Sequence, residues 1–463
     1  MESRMSVVLS VSPQSPDEVV VSVPAASAAD VGKAAEAARA AQPGWAAAPP
    51  AHRSAALHAA ADAVAADAAD LVALTVREVG KPVTEARGEV ARAVALLRYY
   101  AQQVYDPTGA VHEPSGGPGL AYTRRRPRGV AGLVTPWNFP LAIPLWKAAP
   151  ALAFGNAVLL KPAPQATACA LRLAELVTPH LPEGLLTVLP GDAEAGQAVV
   201  AASDAVSFTG SAAVGAVVGS RAVARGVPVQ CEMGGQNPTV VLPDADVESA
   251  ARQIAYAAFG YAGQKCTATK RIILVGDPTG FTDALVAAVT ALACGDPAAP
   301  DTTVGPVIDE AARARVLAAA DSGVAAGGRL LTGGRAADGP GWFVAPTVLT
   351  DLPADHLLQQ EEVFGPICAL SRVDTLDAAL DAANAVRYGL SAAVFTADLD
   401  AALRFADGSA AGQVKVNAPT AGVDFYLPFG GERDSSFGGR EQGKAAQDFY
   451  TSLRTVTVAP AGR

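Results

Sequence analysis

The chain is predicted to be an α/β protein in which a doubly wound parallel sheet is followed by a second α/β unit. Its 463 residues exceed what one hydrophobic core usually serves. Before residue 106, alanine-rich segments carry apolar residues at helical spacing. Farther along, short β-branched runs alternate with helical segments, a pattern typical of parallel sheets covered by helices.

The predicted elements follow one another in a simple order. A short strand at residues 19–23 precedes amphipathic helices at residues 28–41, 55–79 and 84–105. Strands of the first sheet follow at residues 130–134, 157–160, 186–189, 205–208 and 229–231. Strands of the second unit are expected at residues 239–242, 271–275, 389–395 and 412–417. A closing strand at residues 449–458 is expected to pair with residues 119–126, and such exposed edges commonly serve subunit assembly.

The overall charge and hydropathy argue against two kinds of partner. The formal net charge is −10 at pH 7, whereas nucleic acids and anionic membranes bind basic surfaces. Mean hydropathy is +0.24, but no stretch long enough to cross a membrane is free of charges and prolines. Residues 1–10 lack the apolar run of a signal peptide, and no lipidation motif ends the sequence. We therefore expect a cytoplasmic protein with no nucleic-acid or membrane partner.

Cysteine and histidine spacing gives no sign of a disulfide framework or a metal site. The 5 cysteines are odd in number and include no Cys-x-x-Cys pair. The 5 histidines do not lie at metal-motif spacing from a cysteine or from one another. No metal is therefore expected.

Polar side chains follow the predicted strands of the first sheet. Asn138 comes after the strand at residues 130–134, and Lys161 ends the next strand. Ligands of open α/β sheets bind at the carboxyl ends of strands, where the Asn138 amide would donate to a developing oxyanion. Taken alone, Asn138 fits a proline-rich turn equally well, and Lys161 fits a solvated strand end.

Residues 205–215 have the pattern of a strand, a tight turn and a helix start. Gly210 permits close approach of the backbone to a ligand. Ser211 is placed to cap the helix, whose free N–H groups would face a phosphate. The Gly-x-Gly-x-x-Gly fingerprint of dinucleotide-binding proteins is absent from the sequence, so the turn alone does not identify the ligand.

A carboxylate and a thiol complete the candidate chemistry. Glu232 precedes paired glycines, which let a flat ligand pass close while the carboxylate serves as a general base. Cys266 follows a glycine-containing turn, and Lys265 or a helix N-terminus beside it would favour the thiolate. Taken alone, Glu232 fits an ion-paired turn residue, and Cys266 fits an inert buried side chain.

The joint order of these motifs resembles the aldehyde dehydrogenase superfamily along essentially the whole chain. The matching positions are Asn138, Lys161 and residues 208–211, 232–235, 263–266, 362–364 and 428–431. The resemblance implies a Rossmann-like nucleotide-binding domain, a second α/β catalytic domain and a small β-hairpin oligomerisation element, assembled as a homodimer or homotetramer. These parts would comprise residues 1–108 with 128–234, residues 235–440, and residues 109–127 with 441–463.

The resemblance also implies a mechanism for oxidising a small-molecule aldehyde. Cys266 would attack the aldehyde carbon, while the Asn138 amide and the Cys266 N–H hold the oxyanion. Hydride transfer to nicotinamide would leave a thioester. Glu232 would then activate the water that releases the carboxylic acid.

NADP or NAD is the cofactor that the resemblance implies. Lys161 would lie at the adenosine ribose, and Glu362 and Phe364 at the nicotinamide end. The other residues expected at the cofactor are Trp137, Thr135, Pro164, Phe208, Gly210, Ser211 and Gly234. Many relatives carry glutamate where this chain has Pro164, and that carboxylate would bond the ribose hydroxyls and repel a 2′-phosphate. We therefore expect NADP to be accepted, and a preference for NADP over NAD stays open.

Finer matches resemble the branch of the family that oxidises 2-oxoglutarate semialdehyde (2,5-dioxopentanoate). They lie at residues 417–424 and 434–443. A short substrate with a distal carboxylate requires a cation, for which Arg92 is the candidate, although it fits a structurally paired arginine equally well. The expected apolar walls of the substrate tunnel, which fit core aromatics as well, are Phe139, Trp146, Phe425 and Tyr426.

Two alternatives stay open at this point. A CoA-acylating dehydrogenase would resolve the thioester with a thiol, and such relatives commonly lack a carboxylate at the position of Glu232. A non-catalytic nucleotide-binding protein of the same fold would place no chemical demand on Cys266, Glu232 or Asn138. The presence of all three residues favours hydrolytic aldehyde oxidation.

Overall fold

A computed structural model describes residues 6–460. Predictions about the extreme termini, residues 1–5 and 461–463, lie outside the described residues. The strands are β1 (Val7–Ser12), β2 (Ser15–Pro24), β3 (Val111–His112), β4 (Leu120–Pro127), β5 (Val130–Thr135), β6 (Ala157–Pro162), β7 (Leu186–Val188), β8 (Ala205–Thr209), β9 (Val229–Glu232), β10 (Asn237–Val241), β11 (Thr269–Val275), β12 (Arg329–Thr332), β13 (Thr347–Thr350), β14 (Ile367–Val373), β15 (Tyr388–Gly389), β16 (Ser391–Phe395), β17 (Gln413–Val416), β18 (Glu432–Arg433), β19 (Ser436–Phe437) and β20 (Thr451–Val458).

The helices are α1 (Ala28–Ala47), α2 (Pro50–Ala66), α3 (Ala68–Val79), α4 (Val83–Gln103), α5 (Ala142–Ala153), α6 (Thr167–Val177), α7 (Ala193–Ala202), α8 (Ala212–Ala224), α9 (Val247–Phe259), α10 (Phe281–Thr290), α11 (Glu310–Ala325), α12 (Leu357–Gln360), α13 (Leu376–Asn384), α14 (Leu399–Gly408) and α15 (Ala445–Tyr450). Within the described chain, no helix combines the length and the hydropathy needed to cross a bilayer.

The first sheet has the strand order β19-β9-β8-β5-β6-β7. All its strands are parallel except β19, which pairs with β9 in the antiparallel sense. On one face α2, α4 and α5 pack together, and α5 contacts β5 and β6. On the opposite face α1 packs against α7 and α7 against α8, and apolar side chains of α8 contact β8 and β9. The sheet is therefore covered on both sides, as predicted for a doubly wound unit.

The second sheet has the strand order β12-β13-β14-β11-β10-β16-β17 and is parallel except for β12. Side chains of β11 alternate between two cores, because successive residues of a strand point to opposite faces. Ile272 and Leu274 pack with α9, α10 and α11. Ile273 and Val275 pack with α13 and α14.

A three-stranded antiparallel sheet, β20-β4-β3, carries the chain's last described strand. Leu453 of β20 pairs with Arg125 of β4, so the predicted pairing is confirmed. The predicted strand start at residue 449 is wrong, because α15 continues to Tyr450. Phe449 and Tyr450 pack in the large apolar core of the first sheet, and this packing favours helix over strand at these two residues.

The predicted helix at residues 55–79 is two helices. The break lies at Asp67, which has φ −92° and ψ 10°, and its carboxylate accepts a hydrogen bond from Arg172 Nε at 2.9 Å. This contact joins the break to α6, so a tertiary interaction interrupts a segment whose local sequence favours one helix. Strands β1, β12, β13 and β14 were not predicted, since short runs carry little periodic signal.

Candidate active site

Polar side chains predicted to form the site lie along one edge of the first sheet. β6, β5, β8 and β9 are parallel neighbours, so their carboxyl ends share that edge. Lys161 lies near the end of β6, Glu232 ends β9, and Asn138 follows β5. The structure thus brings together residues that are far apart in sequence.

The thiol of Cys266 lies in the connection between α9 and β11. A short 3-10 turn, Gly260–Gly263, follows α9, and its residues Tyr261 and Ala262 have φ of 56° and 53°. Residues other than glycine adopt this left-handed conformation at a steric cost. Asn237 Nδ2 donates to the Cys266 carbonyl at 2.7 Å, which holds the backbone beneath the thiol.

Asn138 connects the edge of the first sheet to the Cys266 loop. Its side chain is buried, and Nδ2 donates to the carbonyl of Gln264 at 3.0 Å. Gln264 is anchored in turn, because its Oε1 accepts from the Ile308 N–H at 2.8 Å. A primary amide has two N–H donors, so the second donor of Asn138 remains for a ligand oxygen near the thiol.

Glu232 is a buried carboxyl group with one oxygen held and one oxygen free. Its Oε2 accepts from Ser436 Oγ at 2.5 Å, since β19 places Ser436 opposite Glu232. Its Oε1 has no hydrogen-bond partner among the described residues. Burial, followed by the charge of Glu441, raises the pKa of Glu232 well above its ordinary value. Burial therefore favours the neutral form of this carboxyl group.

A buried polar cluster lies behind Glu232, and sequence reasoning missed it. Lys147 of α5 pairs with Glu441, and its Nζ also donates to Ser207 Oγ at 2.7 Å. Gln230 Nε2 donates to the same Ser207 hydroxyl at 3.0 Å and to Glu441 Oε1 at 3.1 Å. Glu441 lies in a glycine-rich segment that the sequence analysis used only as a marker of a family branch.

The expectation that Lys265 favours the Cys266 thiolate is wrong. Lys265 Nζ instead forms an ion pair with Glu85 Oε1 at 2.5 Å, and no helix begins at Cys266. Burial, and then the charges of Glu362 and Glu232, raise the pKa of the Cys266 thiol to about 12. Glu362 lines the same cavity as Cys266.

Two adjoining cavities extend from the thiol along the edge of the first sheet. The first, of about 340 Å³, reaches Cys266 and is also lined by Trp137, Asn138, Gly210, Ser211, Gly234, Arg315, Glu362 and Phe364. The second, of about 410 Å³, is lined by Thr135, Trp137, Lys161, Pro164, Asp192, Phe208, Gly210, Ser211 and Arg221, among others. Trp137, Gly210 and Ser211 are common to both, so the cavities form one elongated space.

The lining of these cavities fits a dinucleotide. The hydroxyl oxygens of Thr135 and Thr209 are buried without a hydrogen-bond partner among the described residues, and a bound ligand would supply one. A Cβ at Gly234 would lie 1.7 Å from Glu362 Oε2, so a larger residue there would displace that carboxylate from its position. Ser211 caps α8, whose N-terminal amides favour an anion.

The sequence matches one known protein family along almost its whole length. The model of the aldehyde dehydrogenase family matches residues 2–456. The chain belongs to the aldehyde dehydrogenase family. It is an NAD(P)-dependent aldehyde dehydrogenase, and the fold and the family expected from the sequence are confirmed.

This aldehyde dehydrogenase is similar to named relatives over nearly its whole length. It is 39% identical to the alpha-ketoglutaric semialdehyde dehydrogenase of Bacillus subtilis, with 97% of this chain and 94% of that protein covered. It is 41% identical to the alpha-ketoglutarate semialdehyde dehydrogenase of Haloferax volcanii, with 96% and 94% covered. The crystal structure of PnpE with nicotinamide adenine dinucleotide superimposes with a TM-score of 0.95 at 35% identity, covering 99% and 95% of the two chains.

The residues predicted to bind substrate in this aldehyde dehydrogenase lie around α4 and α5. Arg92 of α4 is half-buried, and burial lowers its pKa while the charges of Asp424 and Glu89 act in the opposite direction. The ring of Phe425 lies 5.6 Å from that of Tyr99 on α4. Phe139 lies beneath Lys81, whose Nζ is 3.8 Å from the ring centroid.

Trp146 and Tyr426 are the remaining aromatic residues of the predicted tunnel. The ring of Trp146 lies 5.6 Å from that of Phe429, and its indole N–H has no partner among the described residues. Tyr426 is exposed and packs edge-on against Phe425. These predicted walls do not line the two cavities described above, so their contact with substrate stays a prediction.

Two arginines that line the two cavities of this aldehyde dehydrogenase were also missed by sequence reasoning. Arg315 of α11 lines the first cavity, and its Nε donates to the Val363 carbonyl at 3.3 Å. Arg221, in the last turn of α8, lines the second cavity. Arg315 lies on a helix with no recognisable motif, and Arg221 lies beyond the motif at the start of α8, so only the fold brings them to the site.

Proposed function

We propose that this aldehyde dehydrogenase oxidises 2-oxoglutarate semialdehyde to 2-oxoglutarate. The similarity to relatives that carry this substrate in their names, at 39% and 41% identity, is the observation that supports the proposal most strongly. The half-buried Arg92 on α4 supports it further, because a substrate carboxylate would find a cation there.

Cys266 is the proposed nucleophile and Asn138 the proposed oxyanion donor. After the Cys266 sulfur attacks the aldehyde carbon, the new oxyanion would accept hydrogen bonds from the free N–H of Asn138 and the Cys266 backbone N–H. The support is the contact chain from Asn138 through Gln264 to the Cys266 loop. A bound nicotinamide supplies the hydride acceptor, and a thioester on Cys266 remains.

Glu232 is the proposed general base for thioester hydrolysis. Its free Oε1 would take a proton from water, because no described residue occupies that oxygen. The raised pKa of Glu232 makes it a stronger base once it has ionised. This carboxyl group favours hydrolysis over transfer to CoA, so an acid is the proposed product.

The dinucleotide is proposed to occupy the two adjoining cavities. The adenosine end would lie at Lys161, Pro164 and Phe208, and the nicotinamide end at Glu362 and Phe364. Between them, the phosphates would meet Trp137, Thr135, Gly210, Ser211 and Gly234. Burial lowers the pKa of Lys161 to about 8, and the Asp192 charge acts in the opposite direction. A nearby phosphate or hydroxyl would stabilise the charged form of Lys161.

We also propose the larger-scale organisation expected from the sequence. The domain boundaries at residues 108, 128, 234 and 440 stay a prediction, as does assembly into a homodimer or homotetramer. An exposed antiparallel sheet with apolar side chains such as Leu453 supports assembly. A cytoplasmic location and the absence of nucleic-acid and membrane partners are retained as predictions.

Substrate identity is tested by following the absorbance of reduced nicotinamide with oxo-acid semialdehydes and with neutral aldehydes of equal length. Arg92→Ala should raise KM for the oxo-acid by about tenfold to a hundredfold, since a charge-assisted hydrogen bond is lost. Arg98→Ala is the matched control, because Arg98 is exposed on the same helix and pairs with Asp62. Equal effects of Arg92→Ala on charged and neutral aldehydes would overturn the proposed carboxylate contact.

The proposed chemistry is tested with one variant of the nucleophile and one variant of the general base. Cys266→Ser should abolish cofactor reduction, whereas Glu232→Gln should give one rapid turnover followed by slow release, because the thioester forms but hydrolyses slowly. Mass spectrometry of quenched Glu232→Gln should reveal the acyl group on Cys266. Full activity of Cys266→Ser, or product formation only in the presence of CoA, would contradict the proposal.

A further inference from the structure

Lys270 is a buried cation beneath the active site that the mechanism above does not use. It is the second residue of β11, and its side chain is buried. Its Nζ donates to the Gly263 carbonyl at 2.8 Å and to the Gly365 carbonyl at 2.9 Å. A buried ammonium group is costly unless its hydrogen-bond donors are satisfied. The two carbonyls therefore help to keep Lys270 in the interior.

The two carbonyls belong to the turns next to Cys266 and Glu362, two residues with proposed roles in the reaction. Gly263 lies in the turn that leads to Cys266, and Gly365 lies in the turn that follows Glu362. The turns are in direct contact, since a Cβ at Gly263 would lie 2.5 Å from the Gly365 oxygen. Without a cation between them, two carbonyl dipoles would face each other at this point.

Both turns also contain left-handed residues other than glycine. Tyr261 has φ 56° in the first turn, and Phe364 has φ 54° in the second. Such conformations persist when surrounding contacts hold them. Lys270 contacts both turns with a single group, so it restrains them together.

Glu362, at the start of the second turn, lines the first cavity. Its Oε1 accepts from the Gly235 N–H at 3.3 Å. Burial raises the pKa of Glu362 to about 7, and the Lys270 charge acts in the opposite direction. Burial in turn lowers the pKa of Lys270 to about 8, against the charge of Glu362.

We propose that Lys270 is a positioning residue that ties the Cys266 turn to the Glu362 turn, so that cofactor binding at one turn changes the exposure of the thiol at the other. This inference rests on the proposed roles of Cys266 and Glu362. Lys270 acts through the two carbonyls and through Glu362, and it does not contact the reacting atoms.

Lys270→Met tests the proposal, because methionine keeps most of the apolar stem and removes the ammonium group. Dissociation constants for NAD and NADP are measured by tryptophan fluorescence, with no aldehyde present. The rate of iodoacetamide alkylation at Cys266 is measured by peptide mass spectrometry with and without dinucleotide. Cys294, which is an exposed free cysteine, is the internal control in the same samples.

The expected result is a loss of coupling between cofactor and thiol. In Lys270→Met the dissociation constant should rise about fivefold or more, and the effect of dinucleotide on Cys266 alkylation should fall by a similar factor. The alkylation of Cys294 should not respond to the variant or to the dinucleotide. Lys270→Arg, which keeps the charge, should restore part of both effects.

Two other results would overturn the proposal in distinguishable ways. A wild-type dinucleotide effect on Cys266 that persists unchanged in Lys270→Met removes the role of Lys270 alone. A wild-type protein that binds the dinucleotide but whose Cys266 ignores it removes the coupling itself, whereas Cys266→Ser and the dissociation constants test the proposed nucleophile and cofactor roles separately. If Lys270→Met does not fold, Lys270→Gln is measured in the same way, and the same outcomes decide.

Discussion

At the scale of a single residue, Cys266 shows how strongly surroundings control a thiol. The sequence places Lys265 beside it, yet that lysine pairs with Glu85. Burial of the thiol raises its pKa instead, and the carboxyl groups of Glu362 and Glu232 act in the same direction. The free enzyme therefore holds a protonated thiol, and this thiol must lose its proton to attack an aldehyde.

This thiol should titrate above the usual range. Because the pKa of Cys266 is raised to about 12, the thiolate fraction at neutral pH is small and grows with every step in pH. Alkylation of Cys266 in the free enzyme should rise about tenfold per pH unit between about pH 7 and 10 without levelling. A small-molecule thiol measured in parallel should level near its ordinary pKa, and a plateau for Cys266 near pH 8 would contradict this.

Pro164 is the residue at which cofactor choice is best tested. It lines the second cavity with Lys161 and Arg221, where the adenosine end of the dinucleotide is proposed to lie. Pro164→Glu should lower kcat/KM for NADP by about tenfold or more and spare NAD, since a carboxylate repels the 2′-phosphate. Pro164→Ala, which removes the ring without adding charge, should leave the NADP to NAD ratio nearly unchanged. Equal losses with both cofactors in Pro164→Glu would refute this placement.

At the scale of elements, the buried carboxylate of Glu89 on α4 contacts both Lys81, just before α4, and the start of α5. The side chains of Lys81 and Glu89 are 0% and 1% exposed. Glu89 also accepts from the Leu141 and Ala142 N–H groups, at 2.8 Å and 3.0 Å, where α5 begins. The Glu89 carboxylate therefore pairs with a buried ammonium group and accepts from two N–H groups at the start of α5. This helix begins shortly after Asn138 in the sequence.

Removing this carboxylate should destabilise the protein far more than breaking an exposed pair. Glu89→Ala should cost about 3 to 5 kcal/mol of unfolding free energy, since it leaves a buried cation unpaired. Arg404→Ala should cost less than about 1 kcal/mol, because Arg404 and Asp377 are 60% and 63% exposed. Denaturant unfolding of both variants measures the difference, and similar midpoints would show that the Lys81 pair contributes little.

Helix and strand prediction succeeded where the local pattern and the packing agreed. The parallel strands that carry Asn138, Lys161 and Glu232 were predicted because β-branched runs alternate with helices. The break at Asp67 was missed because its cause is the contact with Arg172, which lies on another helix. Strand β14 was missed because no local periodicity distinguishes it from a buried loop.

At the scale of the whole molecule, the sheet β20-β4-β3 presents apolar side chains to solvent. Leu453 is 60% exposed and Val111 is 76% exposed. Apolar residues on an exposed sheet mark contact sites between subunits more often than isolated surface leucines do.

Leu453→Glu should therefore shift the protein toward smaller species. The expected cause is a buried, unpaired carboxylate in the subunit contact, and analytical ultracentrifugation measures the change in mass. Leu399→Glu is the matched control, because Leu399 is 70% exposed at the start of α14. If Leu399→Glu lowers the measured mass and Leu453→Glu does not, the subunit contact does not lie on the sheet β20-β4-β3.

The sequence by itself determined the fold class, the family and the residues that carry the proposed chemistry, because each depends on short motifs in a given order. Only the tertiary structure decided the protonation of Cys266, the pairing of Lys265 with Glu85, and the contacts of Lys270 with two turns. The physical reason is that charge states and hydrogen-bond partners depend on burial and on neighbours distant in sequence, which local spacing does not encode.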